Sequence, residues 1–172
     1  MLGATAVSGV VYLAFSASYR VKRLVSFTNP FGDANGDGYQ LIQSYFAISG
    51  GGFFGRGLGN SVEKMNYLPE AHTDFIMAVI SEELGIFGVL IVLGLYFALM
   101  LLGVKTAVRA DDPFGKLLAI GITFQLMFQV VLNLGAMSGL LPVTGVPLPF
   151  ISYGGSSLIM TLFLCGILVN IS

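Results

Sequence analysis

The sequence predicts an all-α fold, a polytopic helical membrane protein with about four transmembrane helices and one large extracellular loop. Three observations carry this. Hydrophobic residues make up 55% of the chain and charged residues only 10%, where a soluble domain carries about a quarter charged. The apolar residues gather into four runs near the roughly 20-residue length that a helix needs to cross a bilayer. The intervening stretches are rich in Gly, Asn and Pro, the residues of turns. A net charge of -1 gives no basis for binding nucleic acid.

Taken in order, residues 1–17 form the first apolar run. It lacks a basic leader and a small-residue cleavage site, so it reads as a shortened span rather than a signal peptide. Residues 18–73 form the large loop, with turn signals at Asn29-Pro30 and Asp33-Ala34-Asn35-Gly36-Asp37-Gly38. Within it, 39–49 is an amphipathic helix candidate with Leu41, Ile42, Tyr45 and Phe46 on one side, ended by Gly50-Gly51-Gly52. The loop's many aromatics suit a folded cap at the membrane interface. Residues 74–103 are the second span, 104–115 a short loop, 116–137 the third span, 138–153 a proline-rich loop and 154–172 the fourth span. Lys105 and Arg109 in the short loop place it in the cytoplasm and the long loop outside. The chain runs out of a hydrophobic segment at its end, as a piece of a larger membrane protein does. Cys165, the one cysteine, has no internal partner for a disulfide and reads as a small buried residue.

The chemistry concentrates where the large loop meets the second span. Asp74 falls at the boundary between water and hydrocarbon, with Glu70 one helical turn earlier and the single histidine, His72, between them. A carboxylate half out of water is poised to take a proton, and ionisable groups at membrane depth are functional candidates. The ordinary alternative is that Thr73 or Asp74 caps the helix. Glu82 and Glu83 lie 12–14 Å further along if the helix is continuous, by about 1.5 Å per residue. On a helical wheel Glu82 faces a cavity near Asp74, and Glu83 docks a neighbouring helix. Gly85 and Gly88 would let another helix approach closely. Gln125, Gln129 and Asn133 recur every four residues as a polar stripe on the third span, either helix–helix glue or the lining of a wet groove. Arg56 and Lys64 bracket Gly57-Leu58-Gly59-Asn60-Ser61 and could meet an anionic lipid headgroup. Ser156 and Ser157 follow three prolines and open the last helix, where free N–H groups can hold a pyrophosphate or the hydroxyls can cap. No metal-ligand spacing is present.

Three runs carry a family resemblance: Gly57 to Lys64; Tyr67 to Ile76 followed by Glu82-Glu83-Leu84-Gly85; and Pro147 to Ser157. Together they resemble the SEDS family (shape, elongation, division, sporulation) over essentially the whole chain. Ala71 is similar to the division branch, since the rod-shape branch tends to carry Arg there. The resemblance implies a ten-span fold of which this chain is spans seven to ten. It implies a peptidoglycan glycosyltransferase in the bacterial plasma membrane at the division septum. The substrates would be lipid II and the growing glycan strand, and the partners a class B penicillin-binding protein and other divisome membrane proteins. Asp74 would be the catalytic residue, with Glu70, His72, Arg56, Lys64, Ser156 and Ser157 at the substrate. A divalent cation, Mg²⁺ or Mn²⁺, would be held mainly by substrate phosphates. Some members carry Lys where this chain has Thr144, so a cationic role does not transfer to that position. The competing readings are a lipid II flippase, with Glu82, Gln125, Gln129 and Asn133 along its path, and a non-catalytic divisome scaffold. This piece alone is expected to be inactive.

Overall fold

The structure, a computed structural model, describes residues 27–33, 38–62 and 71–172. The first apolar run, Lys64 and Glu70 lie outside the described residues. After a 3-10 turn at Pro30–Asp33 come four helices: α1 (Tyr39–Gly51), α2 (Ile76–Arg109), α3 (Pro113–Met137) and α4 (Gly155–Ile171). No strand occurs among the described residues, and α2 and α3 are long and apolar enough to cross a membrane.

Two boundaries differ from the sequence reading. The segment 104–115 is mostly helix: α2 runs on to Arg109, and only 110–112 separate it from α3. Lys105 and Arg109 sit in the last turns of α2, where cations complement the carbonyl end of the helix. The α3 start is sharp because Asp112 accepts a hydrogen bond from Gly115 N at 2.7 Å and Pro113 occupies the first turn, a strong N-terminal signal.

The second difference is larger. α2 is two arms joined at Gly85, whose φ of 66° and ψ of -161° are not helical. A straight helix would carry Tyr96 about 30 Å beyond Ile76. Yet Thr73 O accepts from Ser152 Oγ, and Tyr96 OH donates to Pro149 O at 2.6 Å. Pro149 and Ser152 are three residues apart, at most about 10 Å. The chain therefore bends back sharply at Gly85, and both arms converge on the 147–153 loop. The second arm, Ile86–Arg109, is by itself long enough for a crossing of about 20 residues. Glu82 and Glu83 lie on the first arm beside the bend, not partway down one continuous span.

Two apolar clusters hold the bundle. One gathers Ala47, Ala71, Phe75, Met77, Ala78, Tyr96, Val130, Met137 and Leu148 around the bend arms and the loop. The other joins Ala107, Ala119, Ile122, Leu126 and Leu168 at the opposite end of α2, α3 and α4. There Gly103 lies against Thr123, the close approach that small residues allow between membrane helices. Tyr96 is 7% exposed, so Tyr96→Phe removes a buried tether of the loop. It is expected to cost about 1–2 kcal/mol, read by thermal unfolding of the full-length parent in detergent; an unchanged melting temperature would contradict this role.

Candidate active site

Residues 71–75 form a turn that delivers the chain into α2. Ala71 and Phe75 are buried and pin its two ends, while His72 is exposed and Thr73 and Asp74 are half-buried. The N-cap of α2 is Phe75, which makes no side-chain cap bond, and Asp74 lies one position before it.

Three consecutive carbonyls of this turn are each held from outside it. His72 O accepts from Tyr153 N at 2.8 Å, Thr73 O from Ser152 Oγ at 2.5 Å, and Asp74 O from Asn133 Nδ2 at 2.9 Å. The donors are themselves fixed. Ser152 Oγ accepts from Leu148 N at 2.7 Å, and Asn133 Nδ2 also donates to Val146 O at 2.9 Å. The proline-rich loop after α3 thus acts as a cradle for the acidic turn. Gly145, at φ 71°, faces the carboxylate: a Cβ built there would lie 3.5 Å from Asp74 Oδ2.

Beside the turn opens a cavity of about 610 Å³ lined by His72, Ile76, Ile151 to Gly155 and Leu158. His72 lines it and Asp74 does not; Asp74 turns toward Gly145. The start of α4 borders the same cavity through Gly154 and Gly155. Gly154 is its N-cap with no side-chain bond, so neither Ser156 nor Ser157 caps α4, and Ser156 is exposed. Among the described residues no group of three His, Cys, Asp or Glu side chains gathers to hold a metal ion.

A separate cluster forms at the bend. Glu82 is 1% exposed, and its carboxylate accepts from Arg56 Nη1 at 3.1 Å, Ser61 Oγ at 2.5 Å and Val62 N at 3.0 Å. Glu83 Oε1 accepts from Ser61 N at 3.4 Å. The loop also takes up backbone groups at the broken helix: Arg56 N donates to Glu82 O, Gly57 N to Glu83 O, and Ile86 N to Gly52 O. Phe54 packs on Phe87, with ring centroids 5.6 Å apart. Among the described residues, the contacts of the two acids are with this loop. Gly85 approaches the backbone of Phe53 and Gly55 rather than another helix. Arg56 is matched by Glu82. Since Arg56 is 45% exposed and Glu82 is not, Arg56→Ala takes the cation from a buried carboxylate, leaving its bonds from Ser61 Oγ and Val62 N. Its expected cost is about 3 kcal/mol, the low end for breaking a buried pair. Thermal unfolding measures it, and a loss below that of an ordinary surface pair, under about 1 kcal/mol, would contradict the clamp.

The structure thus brings Asp74, His72 and Asn133 together with the entrance of α4, and sets Arg56, Glu82 and Glu83 apart. The Gln125–Gln129–Asn133 stripe splits: Gln125 is exposed, Gln129 half-buried and Asn133 2% exposed. Sequence reasoning missed Ser152, Tyr96 and Ser61. A lone hydroxyl inside an apolar run was the available signal for Tyr96.

Fold and site define a helical integral membrane protein with an acidic turn cradled at one end of its bundle. The chain belongs to the FtsW, RodA and SpoVE family of cell cycle proteins, whose family model matches residues 1–172. It is 55% identical over 169 residues to the probable peptidoglycan glycosyltransferase FtsW of Bacillus subtilis, covering 96% of this chain and 42% of that protein. It is 49% identical over 170 residues to the protein of the same name from Trichlorobacter lovleyi, covering 99% and 45%. Against stage V sporulation protein E of Bacillus subtilis the identity is 48% over 171 residues, covering 99% and 47%. A solved structure, reported as "Structural coordination of polymerization and crosslinking by a peptidoglycan synthase complex", matches with a TM-score of 0.69 and 34% identity over 98% of this chain and 46% of that one. The chain spans less than half the length of these relatives.

Proposed function

We propose that this chain is the C-terminal part of a peptidoglycan glycosyltransferase that joins lipid II units for septal wall synthesis. The observation that carries the reading is Asp74, a half-buried carboxylate on a turn whose carbonyls are fixed by three external donors. The names of the relatives supply the reaction class. Asp74 accepts the proton of the GlcNAc 4-hydroxyl as that oxygen attacks C1 of MurNAc on the growing strand. The bond from C1 to the pyrophosphate oxygen breaks, and undecaprenyl pyrophosphate leaves. An α-linked donor becomes a β-linkage, so one inverting displacement with one base suffices and no sugar–enzyme intermediate forms.

The apolar cavity at His72 and the α4 entrance would take the lipid-linked end of a substrate, with Ser156 and Ser157 near its phosphates. Glu70 and Lys64 remain candidates for orienting the acceptor and meeting pyrophosphate; Arg56 could contribute only from its Glu82-bound position. Mg²⁺ or Mn²⁺ would travel with substrate phosphates, and no step here depends on it. A class B penicillin-binding protein and other divisome membrane proteins are the proposed partners, consistent with the synthase complex that this fold resembles, and the plasma membrane at the septum is the proposed location.

Transport is less well supported, because among the described residues Glu82 is engaged by the loop and Asn133 by the cradle, apart from exposed Gln125. The test separates chemistry from movement. The full-length parent, with its transpeptidase partner, is given labelled lipid II in detergent, where no bilayer exists to transport across. Long glycan strands are expected. Lipid II bound but unpolymerised would favour the flippase or scaffold readings.

A further inference from the structure

We infer that Asn133 is a positioning residue for Asp74, one that sets the reactive geometry from beneath the turn without touching substrate. The inference rests on the glycosyltransferase reading above. Asn133 is 2% exposed on α3, in a helix whose only other buried polar side chain, Thr123, bonds back to its own helix at Ala119 O. Both N–H bonds of its amide are spent on backbone carbonyls of different segments, Asp74 O and Val146 O, each at 2.9 Å. The carbonyl partners are 72 positions apart in sequence (146 − 74), yet one amide group spaces them. The residue it holds on one side carries the carboxylate. The segment it holds on the other contains Gly145, which faces that carboxylate.

This is more than the packing of one polar group in an apolar bundle. Helix–helix glue would bond a neighbouring helix, and Asn133 bonds two loops. Its own Oδ1 is buried without a hydrogen-bond partner among the described residues, a cost that a side chain chosen for packing alone would avoid. Leu has the same branching and no unpaired atom of its own, but it offers no donor to Asp74 O or Val146 O. The amide, as a double donor, fixes Asp74 O and Val146 O at one separation. Tyr153 N and Ser152 Oγ fix the preceding two carbonyls, so Asn133 closes the third point of a tripod at the residue whose side chain reacts. Misplacing a reacting group by about 1 Å can cost on the order of 100-fold in rate.

The test is made in the full-length parent with its transpeptidase partner. Asn133→Leu is expected to lower kcat by 10- to 100-fold (order of magnitude) at temperatures where the variant is folded, with KM for lipid II close to wild type, and to lower the unfolding temperature through the two lost buried hydrogen bonds. In an Asp74→Asn background the same substitution should add little, since both act on one proton transfer. An Asn133→Leu enzyme with wild-type kcat overturns the inference. So does a loss that multiplies fully with that of Asp74→Asn, or one that follows protein unfolding. If Asn133→Leu does not accumulate, Ser152→Ala removes the neighbouring tether to Thr73 O and is read by the same split of kcat from KM; unchanged kcat there overturns the tripod. An Asp74→Asn enzyme of full activity would instead sink the glycosyltransferase assignment of Asp74, an outcome separable from every result at Asn133.

Discussion

Gly85→Ala is expected to cripple folding of the full-length protein, although it adds a single methyl group to a residue flanked by helix on both sides. Gly85 sits at φ 66° and ψ -161°, a region open essentially to glycine alone, where other residues cost about 1–3 kcal/mol. The added Cβ would lie 2.5 Å from Gly55 N and from Phe53 O. Those are backbone atoms, so no side chain can rotate away, and overpacking adds about another 1–3 kcal/mol. The loop that would be pushed out also satisfies Glu82 O, Glu83 O and Ile86 N, so the broken helix loses its partners at the same time. Gly94→Ala is the matched comparison in the second arm. There a Cβ meets nothing within 4 Å, and helix propensity favours Ala by about 1 kcal/mol. Opposite signs are therefore expected within α2, read as yield and unfolding temperature in detergent. Equal behaviour of the two variants would contradict the bend.

The helices were legible in the sequence where long apolar runs leave one option, as in 116–137 and 154–172. The bend was not. An isolated glycine in an apolar run is tolerated by a helix, and nothing local shows that a loop 30 residues earlier will supply hydrogen bonds at Gly85. Gly85 and Gly88 read as a seam for another helix, but Gly85 meets the backbone of Phe53 and Gly55 and Gly88 meets Leu84 of α2 itself. The candidate amphipathic helix was similarly half right. Leu41 and Ile42 are buried, but Phe46 is 57% exposed, while Ser44, Ala47 and Gly51 are buried. Gly51 abuts Ser81 O, so the seam selects small residues over hydrophobic ones.

The site divides along the same line. Asp74, His72 and the 147–157 run could be picked out from residue type and position. That the run cradles the turn is a tertiary fact, carried by Ser152 and by a backbone N–H that has no sequence signature. The polar stripe shows why spacing alone misleads. Residues four apart advance by about 400°, so each step drifts about 40° around the helix. Over Gln125, Gln129 and Asn133 the drift reaches about 80°, enough to move from the exposed side of α3 to the buried one.

Asp74 is the proposed base. Asn has nearly the shape of Asp and leaves Asp74 O and its bond to Asn133 untouched, but its side chain cannot take up the proton of the attacking hydroxyl. General-base catalysis contributes about 10²–10⁴-fold, and the loss should fall on kcat rather than on substrate binding. The decisive measurement is the rate of glycan polymerisation by Asp74→Asn and wild-type full-length protein, side by side with lipid II binding and thermal unfolding. A folded variant that binds lipid II normally and polymerises about 10²–10⁴-fold more slowly is the expected result. A folded variant that builds strands at the wild-type rate would contradict it.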